Sequence, residues 1–507
     1  MDSSPRVLLR TDLILMPLLT IAFGLQYYDK AVLGSASIFG IREDLQLIGN
    51  RYGQSNAFFY YGYLAGAFPM AFLVQRWQRR LNIFLGLAIV LWGAIVMLTP
   101  LVADWRGLYA QRFFLGFVES SVSPGFVAVT RMWYTRREQP IRLGIWYSAT
   151  GLFSIFSSLV NSRLGNAKTT LAPWKLIFLV PGSITVAFGF LVLLLLPPSP
   201  LRLPLLAIPC YNRLTLADRQ GIDAKVRGNL TGTPSSAAAM AWNWSQAKEA
   251  ALDPKIYLFF LMATAIYVTN GAVTVFGPIL VKAIGFTSTR ATLLLTPGGA
   301  TTAVSIYVVT LLATSKRLGF AATVPFARTL LLIASCLPPI VGALMCWKGD
   351  WSNKGIPLAG YYLIPIFGAP FVLLLGMCTA NIAGSTKQAI ASASIFVGYN
   401  CGNIASSYIL VPSEAKDHYP TTFKTVVGVM CATIGLALML SAVMAWENRR
   451  RGGGWFADKD SVSSQPDLRP EEPSEKGEDG RPSQESAAAS TLLDVTDCEN
   501  KDFRYTL

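Results

Sequence analysis

The sequence predicts an all-α polytopic membrane protein, and three observations support this fold class. Of the 507 residues, 52% are hydrophobic and only 14% are charged, which is too little charge to cover soluble domains. Largely uncharged stretches of roughly 20 residues recur along the chain, each long enough to cross about 30 Å of hydrocarbon. A polar stretch separates these segments into two groups of six. We therefore expect twelve transmembrane helices arranged as two six-helix bundles.

The predicted spans divide the chain into four parts. The N-terminal bundle (1–196) contains spans at 12–38, 55–75, 81–102, 107–131, 142–163 and 174–196. A central loop (197–254) follows, and the C-terminal bundle (255–446) contains spans at 255–278, 289–313, 320–346, 357–381, 388–411 and 422–446. The tail (447–507) is rich in Ser, Pro, Glu and Asp. Because this composition buries too little apolar surface to fold, we expect a disordered, solvated acidic arm.

The net charge of +14 indicates orientation and does not indicate nucleic-acid binding, because membrane proteins collect Lys and Arg in their cytoplasmic loops. The loops on the same side as both termini are the more basic ones. Their basic residues are Arg76, Arg79, Arg80, Arg131, Arg136, Arg137, Arg142, Lys316, Arg317 and 449–451. We therefore expect both termini, the central loop and the tail to be cytoplasmic.

The composition also argues against an enzyme. His418 is the only histidine, which excludes the multi-histidine metal centres of membrane desaturases, and the seven cysteines fall singly with no metal-binding spacing. We find no phosphate-binding loop and no converging nucleophile and base. A membrane-embedded transferase or hydrolase is therefore disfavoured, and we expect no metal and no cofactor.

Few charged residues fall near the middle of predicted spans, where a charge costs about 2.5 to 3.5 kcal/mol on insertion scales. They are Asp29 and Lys30 in the first span, and Arg112 and Glu119 in the fourth. The spacing of Arg112, Gly116 and Glu119 puts them on one helical face, which cannot face lipid. This face is either a structural polar lock between helices or a site that handles substrate and protons.

Glu119 and Asp29 are the predicted proton-coupling residues, because the spans contain no histidine. Burial favours the protonated form of a carboxyl group, whereas a nearby cation disfavours it. A switch resolves this conflict if Arg112 pairs with Glu119 in one state and with an anionic substrate in another. Adjacent residues point about 100° apart on a helix, so we interpret Lys30 as an anion contact and Asp29 as a packing or proton residue.

Uncharged polar residues at hydrocarbon depth are the candidates for the second half of the site. Such groups either form interhelical hydrogen bonds or contact the ligand. They are Tyr267, Asn270, Tyr399, Asn400 and Asn403. Gly62 and Gly66 form a GxxxG pattern, which indicates close helix packing.

Several strings resemble the major facilitator superfamily. Arg112-Phe-Phe-Leu-Gly116 followed by Pro124-Gly125 resembles the RxxxG…PG motif of its fourth helix, and residues 75–80 (QRWQRR) lie where the superfamily has its loop 2-3 signature. The resemblance implies a gating role for Arg76, Arg79 and Arg80. It also implies the major facilitator fold, in which two six-helix halves rock about a central site.

More specific strings resemble the fungal anion:cation symporter family of allantoate, nicotinate and pantothenate permeases. They are Tyr28-Asp29-Lys30, residues 38–41 (IFGI), residues 132–134 (MWY) and the run from Asn381 to Lys387 that continues to residues 398–404 (GYNCGNI). Within this run, Lys387 is interpreted as a structural or gating residue at the cytoplasmic end of the tenth and eleventh spans.

The resemblance implies a proton-coupled symporter of a small organic anion (a carboxylate, vitamin or ureide) in the fungal plasma membrane. The expected partners are the anion, protons and the lipid bilayer, with no nucleic acid, and the protein is expected to be monomeric. Two alternatives remain open. One is a facilitator that exports a secondary metabolite, and the other is a sensor on the same fold that does not transport.

Overall fold

A computed structural model describes residues 5–135, 138–206, 214–227, 243–314, 326–451, 496–500, 503 and 505. The regular structure of these residues is helical, as the sequence predicts. Among them, eleven helices are long and apolar enough to cross a membrane.

The first half contains six spans, two of which are broken in the middle. The first three are Pro5–Ala36, Arg51–Arg76 and Leu81–Met97. The fourth consists of Trp105–Glu119 and Val122–Trp133, the fifth of Gln139–Tyr147 and Ala149–Leu164, and the sixth is Pro173–Leu195.

The second half repeats this arrangement with more interruptions. The seventh span is Pro254–Val268 with a π-helical turn at Gly271–Val275, and Gly277–Ala283 follows it. The eighth is Ser288–Leu293 with Thr296–Thr314, the ninth Ala327–Lys348, and the tenth Gly355–Leu363, Ile364–Phe367 and Gly368–Asn381. The eleventh is Ser385–Ser406 and the twelfth Pro420–Arg450. The predicted start of the ninth span, 320–325, lies outside the described residues.

The eleventh span is long enough to cross a membrane but is more polar than the others. It contains Asn400 and Asn403 and packs closely against the seventh span, so its polar groups meet other helices. Its position between neighbouring helices explains how a span of low hydropathy is accommodated.

The central loop contains two helices, one against each half. Leu216–Arg227 packs on the second part of the fourth span, and Lys225 forms a 3.0 Å ion pair with Glu138. Trp244–Leu252 packs on the eleventh span, where Glu249 pairs with Lys387 at 2.8 Å. Each half therefore carries its own part of the central loop.

The ends of the spans define two faces of the bundle, because consecutive spans run in opposite directions. We call the face with Arg6 and Arg450 the termini face and the other the opposite face. The halves are joined at the opposite face, where Tyr52 donates to the Val275 carbonyl at 2.7 Å and Asn56 donates to Ser407 at 2.8 Å. Ser288 also donates to the Ile38 carbonyl at 2.9 Å.

Candidate functional site

The side chains of Asp29 and Lys30 point in different directions from the first span, as expected for adjacent residues of a helix. The Asp29 carboxylate is buried and accepts hydrogen bonds from Trp92 Nε1 at 2.8 Å and from the Thr185 hydroxyl at 3.0 Å. These donors belong to the third and sixth spans, so Asp29 ties three helices of the first half together. This placement fits the packing interpretation of Asp29 better than the proton-coupling one.

Lys30 points to the second and fourth spans. Its ammonium lies 3.6 Å from Glu119 Oε2 and over the rings of Phe59, at 5.2 Å, and Tyr63, at 5.5 Å. The Lys30 side chain is 19% exposed, whereas the Glu119 side chain is 0% exposed. The lysine is therefore the member of the pair that solvent or a ligand can reach.

Glu119 depends on Lys30 for compensation of its charge. Within the described part of the chain, neither of its side-chain oxygens accepts a hydrogen bond. Gln26 donates to the backbone carbonyl of Glu119 at 3.3 Å instead of to its carboxylate. A buried carboxylate in such surroundings is costly when it is charged and unpaired.

Arg112 is buried on the predicted face of the fourth span but does not hold Glu119. It is 2% exposed, and its guanidinium lies over the ring of Phe178 at 5.5 Å. Among the described residues, its Nε and Nη2 atoms have no hydrogen-bond partner. The pairing of Arg112 with Glu119 that the sequence suggested is thus absent from this conformation, because Lys30 of the first span lies nearer to the carboxylate.

Glycines bring the second and fourth spans into backbone contact. A Cβ atom on Gly62 would meet the Phe113 carbonyl, and one on Gly116 would meet the Phe59 carbonyl. Gly66 faces Phe117 in the same way. The GxxxG pattern therefore marks close packing, as predicted, and this packing holds Glu119 beside Phe59 and Tyr63.

Aromatic residues of both halves meet beside this pair. The hydroxyl groups of Tyr147 and Tyr267 lie 3.0 Å apart across the two halves. Tyr267 packs edge-on against Tyr399 with 4.2 Å between the ring centroids, and Tyr399 meets Tyr60 at 6.2 Å. Two of the predicted second-half residues therefore reach the contact between the halves.

The three predicted asparagines are engaged in helix contacts. Asn270 donates to Asn403 at 2.7 Å, and Asn403 donates to the Tyr399 carbonyl at 2.8 Å. Asn400 donates to the Phe396 carbonyl at 2.7 Å, while its Oδ1 accepts no hydrogen bond among the described residues. These contacts favour the interhelical interpretation for Asn270 and Asn403 and leave one free acceptor on Asn400.

A cavity lined with hydroxyl groups lies between the halves, and the sequence does not predict it. Its volume is about 30 Å³, room for about two water molecules. The fifth span carries hydroxyl residues at helical spacing, which could have indicated a polar surface. The residues that complete the cavity come from the other half, which the sequence pattern does not reveal. The polar lining comprises Tyr27, Ser35, Ser154, Ser157, Ser158, Thr274, Thr302 and Tyr361.

The predicted gating residues lie at the termini face, away from this centre. Arg76, Arg79 and Arg80 are exposed between the second and third spans. Lys387 is fully buried at the start of the eleventh span, where it pairs with Asp253 at 2.7 Å and with Glu249 at 2.8 Å. Lys387 therefore lies at the end of the eleventh span at which the sequence predicts it, the end near the tenth span.

The family model of the Major Facilitator Superfamily matches residues 19–408, which is most of the chain. The chain belongs to the Major Facilitator Superfamily. Its membership makes it a multi-pass membrane transporter and not an enzyme, and it confirms the predicted fold.

Relatives of this facilitator are fungal transporters. An uncharacterized transporter of Schizosaccharomyces pombe is 30% identical over 99% of this chain and 87% of its own length. The allantoate permease of Saccharomyces cerevisiae is 27% identical over 98% of this chain and 86% of its own length. The thiamine pathway transporter THI73 of the same yeast is 26% identical over 99% of this chain and 87% of its own length. These relatives agree with the resemblance to fungal permeases found in the sequence.

Solved structures show the same fold at low sequence identity. A bacterial homologue of the human lysosomal transporter Spinster, inward-facing and unoccupied, has a TM-score of 0.60 at 13% identity, covering 87% of this chain and 96% of the other. The xylose transporter of E. coli, in a partially occluded inward open conformation, has a TM-score of 0.54 at 13% identity. The match covers 84% of this chain and 96% of the xylose transporter.

Proposed function

We propose that this facilitator carries a small organic anion together with protons by alternating access. The observation that supports the proposal is the pair formed by Lys30 and Glu119. The Lys30 side chain is 19% exposed, and the Glu119 carboxylate is buried with Lys30 as its ion-pair partner at 3.6 Å.

The pair links anion binding to protonation. An anion that binds Lys30 competes with Glu119 for the same ammonium group, and a buried carboxylate that loses its cation favours the protonated form. Protonation of Glu119 in turn frees Lys30 for the anion. Binding of the two ligands is therefore mutually favourable, which is the requirement for symport.

The driving force for uptake depends on the number of protons carried with each anion. One proton carried with one monoanion moves no net charge, so the driving force comes from the pH gradient, about 1.4 kcal/mol or tenfold accumulation per pH unit. A second proton would add about 2.3 kcal/mol per 100 mV of membrane potential.

We propose that the termini face is cytoplasmic and that the protein works in the fungal plasma membrane. The argument for orientation is the excess of basic residues on the termini face, as in Arg76, Arg79 and Arg80. The hydrogen bonds from Tyr52 and Asn56 close the opposite face. The conformation described here is then closed to the outside, with an internal cavity too small for an organic anion until the halves separate.

The first candidate substrates follow from the relatives. One is named an allantoate permease and another a thiamine pathway transporter. A site built on the Lys30 ammonium, beside the rings of Phe59 and Tyr63, suits a small organic anion such as a ureide or a carboxylate.

The test is uptake of radiolabelled allantoate and a panel of labelled carboxylates and ureides by a yeast lacking its own permeases. We expect uptake of at least one anion to rise as the external pH falls. In Glu119→Gln, a permanently neutral carrier, we expect exchange of labelled for unlabelled anion to persist while the dependence on the pH gradient is lost.

Glu43→Gln is the matched control, because Glu43 is an exposed carboxylate on the opposite face. It should keep the wild-type dependence on pH. Transport by Glu119→Gln with an unchanged response to the gradient would overturn the assignment of the proton to Glu119. Efflux of the anion from preloaded cells without uptake would favour the export alternative.

A further inference from the structure

Three described residues of the C-terminal tail are buried in a pocket at the termini face of the second half. Thr496, Asp497 and Tyr505 are each 0% exposed. The sequence predicts a solvated acidic arm here, but these residues are buried because basic residues distant in sequence compensate the acidic group. We call the described residues of this stretch, 496–500, 503 and 505, the tail segment.

Asp497 is the charged anchor of the tail segment. Its carboxylate lies 2.8 Å from Lys387 Nζ and 3.4 Å from Lys255 Nζ. It also accepts hydrogen bonds from the Tyr505 hydroxyl at 2.8 Å and from the Ala383 backbone at 3.3 Å. A buried carboxylate with this many donors is held in one position.

Tyr505 is the second anchor, and its backbone is recognised as well as its side chain. Its N–H donates to Asn448 Oδ1 at 2.9 Å, and its carbonyl accepts from Asn448 Nδ2 at 3.0 Å. Its hydroxyl accepts hydrogen bonds from Lys255 and Arg451, each at 3.0 Å. Paired contacts from one side-chain amide to both backbone groups of a residue are suited to holding an extended peptide.

Four helices form the pocket, and the tail segment contacts all of them. Thr496 donates to Glu249 of the central-loop helix at 2.8 Å. Lys255 begins the seventh span, Lys387 the eleventh, and Asn448 ends the twelfth. The tail segment thus braces the ends of three spans and one loop helix of the second half.

We propose that this pocket is a peptide-docking site whose occupant is the chain's own tail segment, held reversibly. The contacts lie at the termini face, at the ends of the spans, so the segment can leave into water without crossing the membrane core. Residues 496–505 also contain both anchors, so a free peptide of this sequence has the groups needed to compete.

Thr496 is a position at which an added negative charge would oppose docking. Its hydroxyl is 2.8 Å from the Glu249 carboxylate and it precedes Asp497. A negative group attached there would face two carboxylates at close range, and like charges in a buried site repel strongly. Modification of Thr496 by an anionic group is therefore incompatible with docking.

Hydrogen–deuterium exchange on the full chain in detergent tests the proposal. The amides of Tyr505, Asn500 and Phe503 are hydrogen-bonded in the docked segment. We expect exchange in this segment to be at least about tenfold slower than in a free synthetic peptide of residues 496–507. Exchange at the rate of the free peptide would overturn the proposal.

Substitutions at Thr496 separate docking from general stability. Thr496→Glu should lose the protection of the segment, whereas Thr496→Ser keeps the hydroxyl and should retain it. Excess synthetic peptide should accelerate exchange of the native segment, and a scrambled peptide should have no effect. Protection that persists in Thr496→Glu, or that the matching peptide leaves unchanged, would refute reversible docking.

Discussion

At the scale of single residues, Lys30 and Glu119 depend on each other, because each compensates the charge of the other. Removing one member of a buried pair leaves an uncompensated charge and typically costs about 3 to 5 kcal/mol. The 0% exposure of the Glu119 side chain puts it in this class. Because Glu119 is buried, loss of the Lys30 ammonium as its partner favours protonation of the Glu119 carboxyl group.

The first prediction is that Lys30→Gln destabilises the protein and that adding Glu119→Gln restores stability. The single variant strands the buried carboxylate, whereas the double variant leaves two neutral amides. Thermal unfolding of the purified proteins in detergent measures the effect, and the double variant should unfold closer to wild type than Lys30→Gln does. Additive losses in the double variant would contradict the pairing.

The second prediction concerns the pH dependence of the docked tail segment. Burial alone would raise the pKa of Asp497, but the adjacent Lys387 and Lys255 hold its pKa below the ordinary value. A depressed pKa in the docked state stabilises docking above the ordinary Asp pKa of about 3.9 and loses that contribution as pH falls through the lower value. The charged and titratable groups around the carboxylate are Lys387, Lys255, Asp253, Glu249, Glu447, Tyr505, Arg451 and Cys498.

Protection of the tail segment should therefore be the same at pH 7 and pH 5. Hydrogen exchange, corrected for its intrinsic dependence on pH, provides the measurement. Release of the segment between pH 7 and pH 5 would show that a group other than Asp497 controls docking.

At the scale of elements, the packing of the second span against the fourth positions the candidate site. Gly62, Gly66 and Gly116 remove side chains where the two backbones touch. The contact sets the depth and rotation of the fourth span, and with it the position of Glu119. Small residues act this way in membranes because association there depends on close packing and not on the exclusion of water.

The third prediction is that Gly116→Val destabilises the protein by about 1 to 3 kcal/mol or more through overpacking. The added side chain would collide with the backbone of Phe59. Gly435→Val is the control, since a Cβ on Gly435 meets nothing within 4 Å among the described residues. The yield of monodisperse protein and its melting temperature should fall in the first variant and remain near wild type in the second. Equal behaviour of the two variants would contradict the packing argument.

The sequence predicts the existence and order of the spans better than their internal breaks. The fourth span is interrupted between Glu119 and Val122, and the fifth changes helix at Ser148. Such breaks depend on which neighbours supply partners for the freed backbone groups, and a sequence pattern does not contain that information. The eleventh span is predicted at 388–411 as an apolar segment, and the structure has the helix Ser385–Ser406 there, although this helix is not among the eleven described helices that are apolar enough to cross a membrane.

At the scale of the whole molecule, closure of the opposite face sets the conformation. Gly34 meets the Thr274 carbonyl and Gly53 meets the Ser407 carbonyl, so the backbones of the two halves touch. Glycine is required at such contacts because any side chain would hold the halves apart. The remaining movement is therefore expected at the termini face.

The fourth prediction is that Gly53→Val favours conformations open at the opposite face. Labelling by a membrane-impermeant maleimide of a cysteine introduced at Ser35, in a background without the native cysteines, measures this opening. Ser35 is 4% exposed and lines the internal cavity, so labelling should be slow in the parent and faster with Gly53→Val. Gly428→Val, whose Cβ meets nothing within 4 Å among the described residues, should label like the parent. An unchanged rate in Gly53→Val would show that this contact does not control closure.

The amino-acid sequence by itself determined the membrane class, the order of the helices and the few charged residues inside them. Transfer of charge and of polar backbone into hydrocarbon is so costly that these features are visible in composition and spacing alone. Only the tertiary structure decided that Glu119 pairs with Lys30 and not with Arg112, that Ser157 and Thr302 share one cavity, and that Asp497 is buried against Lys387. These contacts join residues far apart in the chain, and they depend on the rotation and depth at which helices pack, which no local pattern encodes.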